Sequence, residues 1–228
     1  MTCTPIAPRI SISKAIQTNR QQPATTGKLS KKASAGDLVL LSQDEARFSM
    51  MPTLRTTLGV KGYRPVVGNL DCHDVLDVFG ALDLVTGRLT TRMGERPRPP
   101  MRAPQRSRQE AFARHVRAIA RTSPAAHYPR VVIVIDKASW HRGAGSTAVL
   151  AAFPHLELYP LPSSSPKLQV IERFWKVLRR RATHHRLFPT MAQLKQALRN
   201  SLCYYQTLKH RVLSVMQSLR KRSTSSAA

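Results

Sequence analysis

Acidic residues are scarce in this chain. It has 12 Asp and Glu among 228 residues, against 37 Lys and Arg, which gives a net charge of +25 and a sequence pI near 11.4. A chain this basic attracts polyanions, because clustered Lys and Arg neutralise phosphates and release their counterions. Nucleic acid is therefore the first partner to expect, while charge alone also permits ribosomal RNA or an acidic membrane surface.

Long apolar runs and paired cysteines are also missing. The clearest apolar runs, 38–41 and 131–135, are far shorter than the roughly 20 residues of a membrane span, and the N-terminus has no apolar signal segment. The three cysteines, Cys3, Cys72 and Cys203, are odd in number and share no metal-ligand spacing. These absences argue against a disulfide scaffold, a zinc site and a membrane partner, and they predict a cytoplasmic protein.

The composition divides the chain into three parts. Residues 1–36 carry six basic and no acidic residues without sustained periodicity, which predicts a basic arm without stable structure. Residues 37–206 are predicted to form the folded domain, and residues 207–228 a C-terminal helix and basic tail. Four prolines among arginines predict that residues 94–106 form an exposed loop of the folded domain.

The folded part reads as an α/β domain with a mixed sheet flanked by helices. The run 38–41 predicts a buried strand that ends near Asp44, and residues 75–92 predict a hairpin turned at 86–87. The β-branched run 131–135 is typical of a central strand covered on both faces, and Asp136 follows it directly. Amphipathic helices are predicted from Ser107, from the segment that holds Glu172, and over 190–206 and 208–221.

Three carboxylates stand out in so basic a chain: Asp44 and Asp136 close the two apolar runs, and Glu172 opens an amphipathic helix. Neighbouring strands of a mixed sheet bring such side chains together, and a packed helix supplies the third. Carboxylate oxygens are the ligands that Mg²⁺ prefers, and Mn²⁺ can take its place. The pattern therefore suggests a site for two metal ions that catalyses phosphoryl transfer.

Each of these residues also has a simpler interpretation. An Asp at a strand end is often a turn residue, and Glu172 in a first helical turn favours the helix dipole and can pair with Lys176. Glu45 competes with Asp44 for the first ligand, and strand alternation allows only one of them to line the site. We choose Asp44 because it continues the buried run more directly.

Basic residues surround the predicted site. Arg179, Arg180 and Arg181 would ordinarily form a solvated helix face, but beside a phosphoryl-transfer site we expect them to contact the DNA backbone. His141 could orient a phosphate or a water, or be a structural histidine. The predicted DNA-binding residues are Lys137, His141, Lys167, Arg173, Lys176, Arg179, Arg180 and Arg181.

An ordered set of short motifs adds a resemblance to a known family. The motifs occupy residues 42–45, 61–65, 79–83, 86–87, 135–141 and 161–175. Together they resemble the catalytic domain of mariner-like bacterial insertion-sequence transposases, which belong to the Asp-Asp-Glu superfamily and have a ribonuclease H-like fold. The resemblance covers about residues 33–215. Two departures are Lys137, where an Asn is usual, and residues 167–172, where the family has Asp-Leu-Asn-Pro-Ile-Glu.

The resemblance implies that Asp44, Asp136 and Glu172 bind two Mg²⁺ ions in an enzyme that cuts DNA strands and transfers them to target DNA. It further implies a homodimer, or assembly with a full-length transposase, at the bacterial nucleoid. Relatives carry a helix-turn-helix domain ahead of the first catalytic Asp, whereas 43 residues precede Asp44, so we expect that domain to be missing. The alternative is a catalytically silent remnant that only binds DNA.

Overall fold

The computed structural model describes most of the chain between the two termini. The described residues are 24–54, 61, 66–68, 74–95, 105–161 and 170–217. The predictions for residues 1–23, for most of the loop 94–106 and for the tail beyond 217 fall outside these ranges. Within them, no helix is long and apolar enough to cross a membrane.

A five-stranded mixed sheet forms the centre of the domain. Its strands are β1 Val39–Ser49, β2 Val75–Asp83, β3 Leu89–Glu95, β4 Val131–Ile135 and β5 Leu156–Pro160, in the order β3-β2-β1-β4-β5. β1 pairs antiparallel with β2, and β2 with β3, whereas β1, β4 and β5 run parallel to one another. This arrangement confirms the predicted α/β class with a mixed sheet.

Helices cover both faces of the sheet. They are α1 Ala24–Ala35, α2 Gln105–Thr122, α3 Ala144–Ala152, α4 Ile171–Ala182, α5 Met191–Thr207 and α6 Lys209–Gln217, with a 3₁₀ turn at Ser139–His141. Helices α1, α4, α5 and α6 share one buried cluster with the sheet, and α2 and α3 share the other. The helices predicted over 190–206 and 208–221 correspond to α5 and α6.

Strand β4 is buried along its whole length, as its β-branched run predicts. Val132 and Val134 join the cluster under α4, while Ile133 and Ile135 join the cluster under α2. Successive side chains of a strand point to opposite faces, so helices on both sides are needed to bury such a run. The end of β4 is thereby held firmly at Asp136.

The β2–β3 hairpin turns at the predicted position. Asp83 accepts hydrogen bonds from the backbone N–H groups of Val85 and Thr86 at 2.8 and 3.1 Å, and from the Thr86 hydroxyl at 2.6 Å. Gly87 has φ +72°, a left-handed conformation that favours glycine. Asp83 therefore has the turn role that its position suggests, and it lies away from the acidic site.

Strand β1 is longer than expected. The prediction that it ends near Asp44 is wrong, because β1 continues to Ser49 in unbroken antiparallel register with β2. Ala46 and Phe48, beyond Asp44, are buried in the cluster under α4 and give this extension its apolar face. Asp44 thus lies within a paired strand instead of in a loop.

Part of the N-terminal segment is also folded. Residues 1–36 were expected to lack structure, but α1 occupies Ala24–Ala35 and contacts β1. Leu29 and Ala33, four positions apart and hence on one helix face, are buried in the larger cluster. A helix with two apolar anchors can be held by packing even though its other residues are polar. At the predicted loop 94–106, β3 extends to Glu95 and α2 begins at Gln105.

His115 of α2 is fully buried against Phe79, with ring centroids 5.8 Å apart. The pKa of His115 is lowered to about 3, mainly by burial and also by the positive charge of Arg92, while a hydrogen bond with the Gly80 backbone opposes the shift. The imidazole is therefore neutral in the fold. Between pH 6.5 and 3 the unfolded chain binds a proton that the folded chain does not, so stability falls as the pH falls through this window.

We predict that His115→Leu flattens this pH dependence. Each pH unit in the window costs the wild type about 1.4 kcal/mol through this one group, so between about pH 7 and pH 5 the wild type should lose about 2 kcal/mol more than the variant. Urea unfolding at a series of pH values measures the difference, with His127→Gln, an exposed histidine, as control. Parallel pH curves for wild type and His115→Leu would contradict the prediction.

Candidate active site

The parallel pairing of β1 with β4 brings Asp44 and Asp136 together. The register pairs Leu40 with Val132 and Ser42 with Val134. Continued beyond the end of β4, this register brings Asp136 opposite Asp44, and the charge of Asp136 acts on Asp44. Strand alternation directs Asp44 to the face of the sheet that α4 covers.

Alternation also separates Asp44 from Glu45. Leu40 and Ala46, which share the parity of Asp44, are buried in the cluster under α4, whereas Leu41, which shares the parity of Glu45, is buried in the cluster under α2. Glu172 lies in the first turn of α4. Of the two neighbouring acidic residues, Asp44 is therefore the one on the side of Asp136 and Glu172.

Trp175 contacts Asp44 directly. Its indole Nε1 donates a hydrogen bond to Asp44 Oδ2 at 3.2 Å, and the ring is almost completely buried. Gly80 of β2 lies opposite Asp44 in the sheet register. A Cβ at Gly80 would lie only 2.5 Å from Cη2 of Trp175, so the indole fits over β2 because residue 80 has no side chain. Helical spacing predicts that Trp175 is buried, but it does not predict this hydrogen bond.

The three carboxylates interact electrostatically. The pKa of Asp44 is raised to about 6, mainly by burial and also by the charges of Glu172 and Asp136, while a hydrogen bond from the Glu45 backbone opposes the rise. The hydrogen bond from Trp175 has a smaller, lowering effect. A local concentration of negative charge thus exists inside a strongly positive chain. Each ionised carboxylate makes the ionisation of Asp44 less favourable.

His141 contacts both the carboxylate and the backbone carbonyl of Asp136. Its Nδ1 lies 3.0 Å from Asp136 Oδ1 and 3.1 Å from the Asp136 carbonyl oxygen, and Oδ1 also accepts the Ala138 N–H at 3.1 Å. Burial lowers the pKa of His141, although its contacts with Asp136 favour the charged form. Because Nδ1 faces two acceptors, it carries the proton of the neutral ring. His141 packs on Phe112 and is buried, so the structure does not place it on a DNA-facing surface.

The donor chemistry of the site suits a hard divalent cation. Among the described residues, no three His, Cys, Asp or Glu side chains are close enough to form a ready-made metal site. Asp44, Asp136 and Glu172 nevertheless offer only oxygen donors, which are the ligands of Mg²⁺ and Mn²⁺. Burial is the main cause of the raised pKa of Asp44, the charges of Glu172 and Asp136 add to it, and a bound cation would offset both effects.

Two arginines of α4 donate hydrogen bonds to backbone carbonyls of neighbouring elements. Arg173 donates from Nη1 to the Met216 carbonyl of α6 at 2.9 Å. Arg179 donates from Nη2 to the Arg47 carbonyl of β1 at 3.3 Å, and its guanidinium carbon lies 5.2 Å from the centroid of the Phe48 ring. Burial lowers the pKa of Arg179, and the charge of Asp44 opposes this shift. These two side chains fasten α4 to its neighbours.

The remaining predicted DNA-binding residues differ from this pair. Lys137, Lys176, Arg180 and Arg181 are exposed, and Lys167 lies outside the described residues. The Arg181 guanidinium carbon lies 3.8 Å from the Tyr204 ring centroid, and that of Arg211 lies 5.7 Å from the same point. Stacking on an aromatic face leaves the in-plane N–H donors of a guanidinium available.

Comparison with known families agrees with this architecture. The family described as DDE superfamily endonuclease matches residues 39–195, which include all three carboxylates. The chain therefore belongs to the DDE superfamily of endonucleases. None of the curated proteins matches it.

Solved structures of the Mos1 mariner transposase share the fold. A pre-cleavage Mos1 transpososome superposes with a TM-score of 0.59 at 13% identity, over 96% of this chain and 65% of the Mos1 chain. The Mos1 catalytic domain alone gives a TM-score of 0.52 at 14% identity and covers 95% of both chains. In two Mos1 paired-end complexes the match covers 53% and 64% of the Mos1 chain. This chain thus spans about half to two thirds of those proteins.

Measurements of unfolding free energy can distinguish an arginine that hydrogen-bonds to the backbone from one that is exposed. We predict that Arg173→Met lowers the free energy of unfolding by roughly 1 kcal/mol or more, because a charged hydrogen bond between α4 and α6 is lost. The matched change Arg180→Met, in the same helix at an exposed position, should change it by less than about 0.5 kcal/mol. Urea denaturation measures both values. Equal losses in the two variants would show that Arg173 is not a structural residue.

Proposed function

We propose that this protein is the catalytic domain of a DDE transposase, which cuts DNA strands and transfers the cut ends to target DNA with the help of divalent metal ions. The observation that carries the proposal is the parallel pairing of β1 with β4, because this register, continued past the end of β4, brings Asp136 opposite Asp44. The electrostatic effect of both other carboxylates on Asp44 supports their grouping.

In this proposal Asp44, Asp136 and Glu172 hold two ions, Mg²⁺ or Mn²⁺. When bound, such ions supply Lewis acidity at a phosphodiester and lower the pKa of a bound water or hydroxyl. The protein contributes orientation: His141 and the Ala138 N–H hold Asp136, and Trp175 holds Asp44. Water serves as the nucleophile for cutting and a DNA 3′ hydroxyl for transfer, so one set of carboxylates serves both steps.

The proposed substrate and partners follow from charge and from the relatives. Mos1 has been solved in complexes with its transposon ends and in a strand transfer complex. A net charge of +25 supports the same class of ligand here. We therefore propose that the chain acts on element ends and target DNA at the bacterial nucleoid, as a homodimer or together with a full-length transposase.

The proposed DNA contacts are Lys137, Lys176, Arg180 and Arg181, together with Arg211. Arg181 and Arg211 converge on Tyr204 from helices α4 and α6, within about a Debye length of each other. Two guanidinium groups held against one aromatic ring favour an anion, and their donors suit phosphate oxygens.

One observation favours a second candidate function, a DNA-binding protein that no longer cleaves. Lys137 directly follows Asp136, where the family that the motifs resemble usually has an Asn. A cation next to a ligand carboxylate competes electrostatically with a divalent metal. Metal dependence separates the two functions, because contacts to the DNA backbone need no metal.

Nicking of supercoiled plasmid by the purified chain tests the main proposal. With Mn²⁺ or Mg²⁺ the wild type should nick the plasmid, EDTA should abolish nicking, and Asp136→Ala should reduce it to background while DNA affinity stays nearly unchanged. Asp37→Asn, which changes an exposed carboxylate before β1, is the matched control and should remain active. An Asp136→Ala variant that nicks at the wild-type rate would refute the assignment of the site.

Tyr204→Leu tests the arginine pair without changing the net charge. Cation–π contacts at exposed sites contribute about 0.5–1 kcal/mol, so loss of the ring should weaken DNA binding about twofold to fivefold by releasing Arg181 and Arg211. Tyr204→Phe retains the ring and should bind like the wild type. Arg181→Ala with Arg211→Ala should also flatten the salt dependence by about two phosphate contacts. Binding by Tyr204→Leu at wild-type strength would mean that the stack does not organise the contact.

A further inference from the structure

We propose that Trp175 is a positioning residue for Asp44, and that Gly80 gives the indole the space to reach it. The inference rests on the proposed function, in which Asp44 is a metal ligand. In this role Trp175 does not touch DNA or metal. It fixes the carboxylate so that the three acidic side chains meet in one arrangement.

The indole is itself held rigidly. It is buried between α4 and the sheet, with Phe48 edge-on at a centroid distance of 6.5 Å and Phe174 at 5.5 Å. A tightly packed aromatic ring has little freedom to rotate, so the direction of its N–H is set by the core. The 3.2 Å hydrogen bond to Asp44 Oδ2 therefore fixes the orientation of the Asp44 carboxylate.

This bond also links the elements that carry two of the three carboxylates. Asp44 belongs to β1, and Glu172 lies three residues before Trp175 on α4. A bond from Trp175 to Asp44 therefore fixes the first turn of α4 relative to β1. In metal sites, hydrogen bonds that orient the ligands commonly change metal affinity 10-fold to 100-fold when they are removed.

Gly80, which lies on β2, gives separate support to the same inference. Its backbone lies opposite Asp44, and a Cβ there would lie 2.5 and 2.7 Å from two atoms of the indole. Such distances are too short for any real contact, so a side chain at residue 80 must displace the ring. Gly80→Ala should break the bond to Asp44 while leaving every charged group and the indole itself in the chain.

The second tryptophan provides a matched control. Trp140 also lies beside the site, with its ring centroid 5.9 Å from that of His141, which holds Asp136. Its Nε1 is buried but makes no hydrogen bond within the described part of the chain. The two indoles thus differ in the feature that matters, the bond to a carboxylate.

The experiment is Mn²⁺ binding to the full chain without DNA, measured from the electron paramagnetic resonance signal of free Mn²⁺. Trp175→Phe should bind Mn²⁺ about 10-fold to 100-fold more weakly than the wild type. Benzothienylalanine at position 175, which keeps the shape of the indole but replaces its N–H by sulfur, should show the same loss at an unchanged melting temperature. Trp140→Phe should keep the wild-type affinity.

Gly80→Ala and the double variant complete the test. Gly80→Ala alone should weaken Mn²⁺ binding to a similar extent, and adding it to Trp175→Phe should cause little further loss, because both act through one bond. Additive losses would mean that Gly80 acts independently of Trp175. If Gly80→Ala does not fold, the benzothienylalanine variant still decides the role of the N–H.

The outcomes separate this inference from the function on which it rests. Asp44→Asn should lose Mn²⁺ binding, and if it binds as the wild type does, both the site and the role of Trp175 are wrong. Wild-type affinity in the benzothienylalanine variant, beside a loss in Asp44→Asn, would overturn only the role of Trp175. Loss in both, with Trp140→Phe unaffected, supports the positioning role.

Discussion

The parallel pairing of β1 with β4 is the contact on which the rest of the site depends. Its register, continued past the end of β4, brings Asp136 opposite Asp44, and it decides which face each side chain of β1 takes. A shift of one residue would move Asp44 to the α2 face and bring Glu45 beside Asp136. Burial of β1 on both faces makes such a shift costly, because Leu40 and Leu41 would exchange environments.

Much of this arrangement could be predicted from residue patterns. The β-branched run before Asp136 can be buried only in a central strand, and the turn at 86–87 follows from Gly87, with Asp83 capping it. Strand β1 was harder, because its continuation beyond Asp44 depends on pairing with β2, which local propensity does not reveal. Helix α1 was missed for a similar reason: two apolar residues give a weak signal until the surface that buries them is known.

The bond between Trp175 and Asp44 could not be predicted from the sequence, since it joins residues 131 positions apart. Helical spacing identifies Trp175 as buried, but it does not indicate where the N–H of the ring points. The arginines of α4 show the same limit. Arg179 and Arg180 are adjacent in the sequence and alike in chemistry, yet one donates to the Arg47 carbonyl and the other is exposed, because their directions around the helix differ by about 100°.

The acidic residues of the candidate site lie within a strongly basic chain. Burial raises the pKa of Asp44, and the charges of Glu172 and Asp136 add to this rise. Two nearby cations have other partners: Arg179 donates to the Arg47 carbonyl, and Arg181 stacks on Tyr204 at the far end of α4. In a chain of net charge +25, negative charge gathered in this way favours a bound cation. The surrounding positive surface then attracts the polyanion on which such a cation can act.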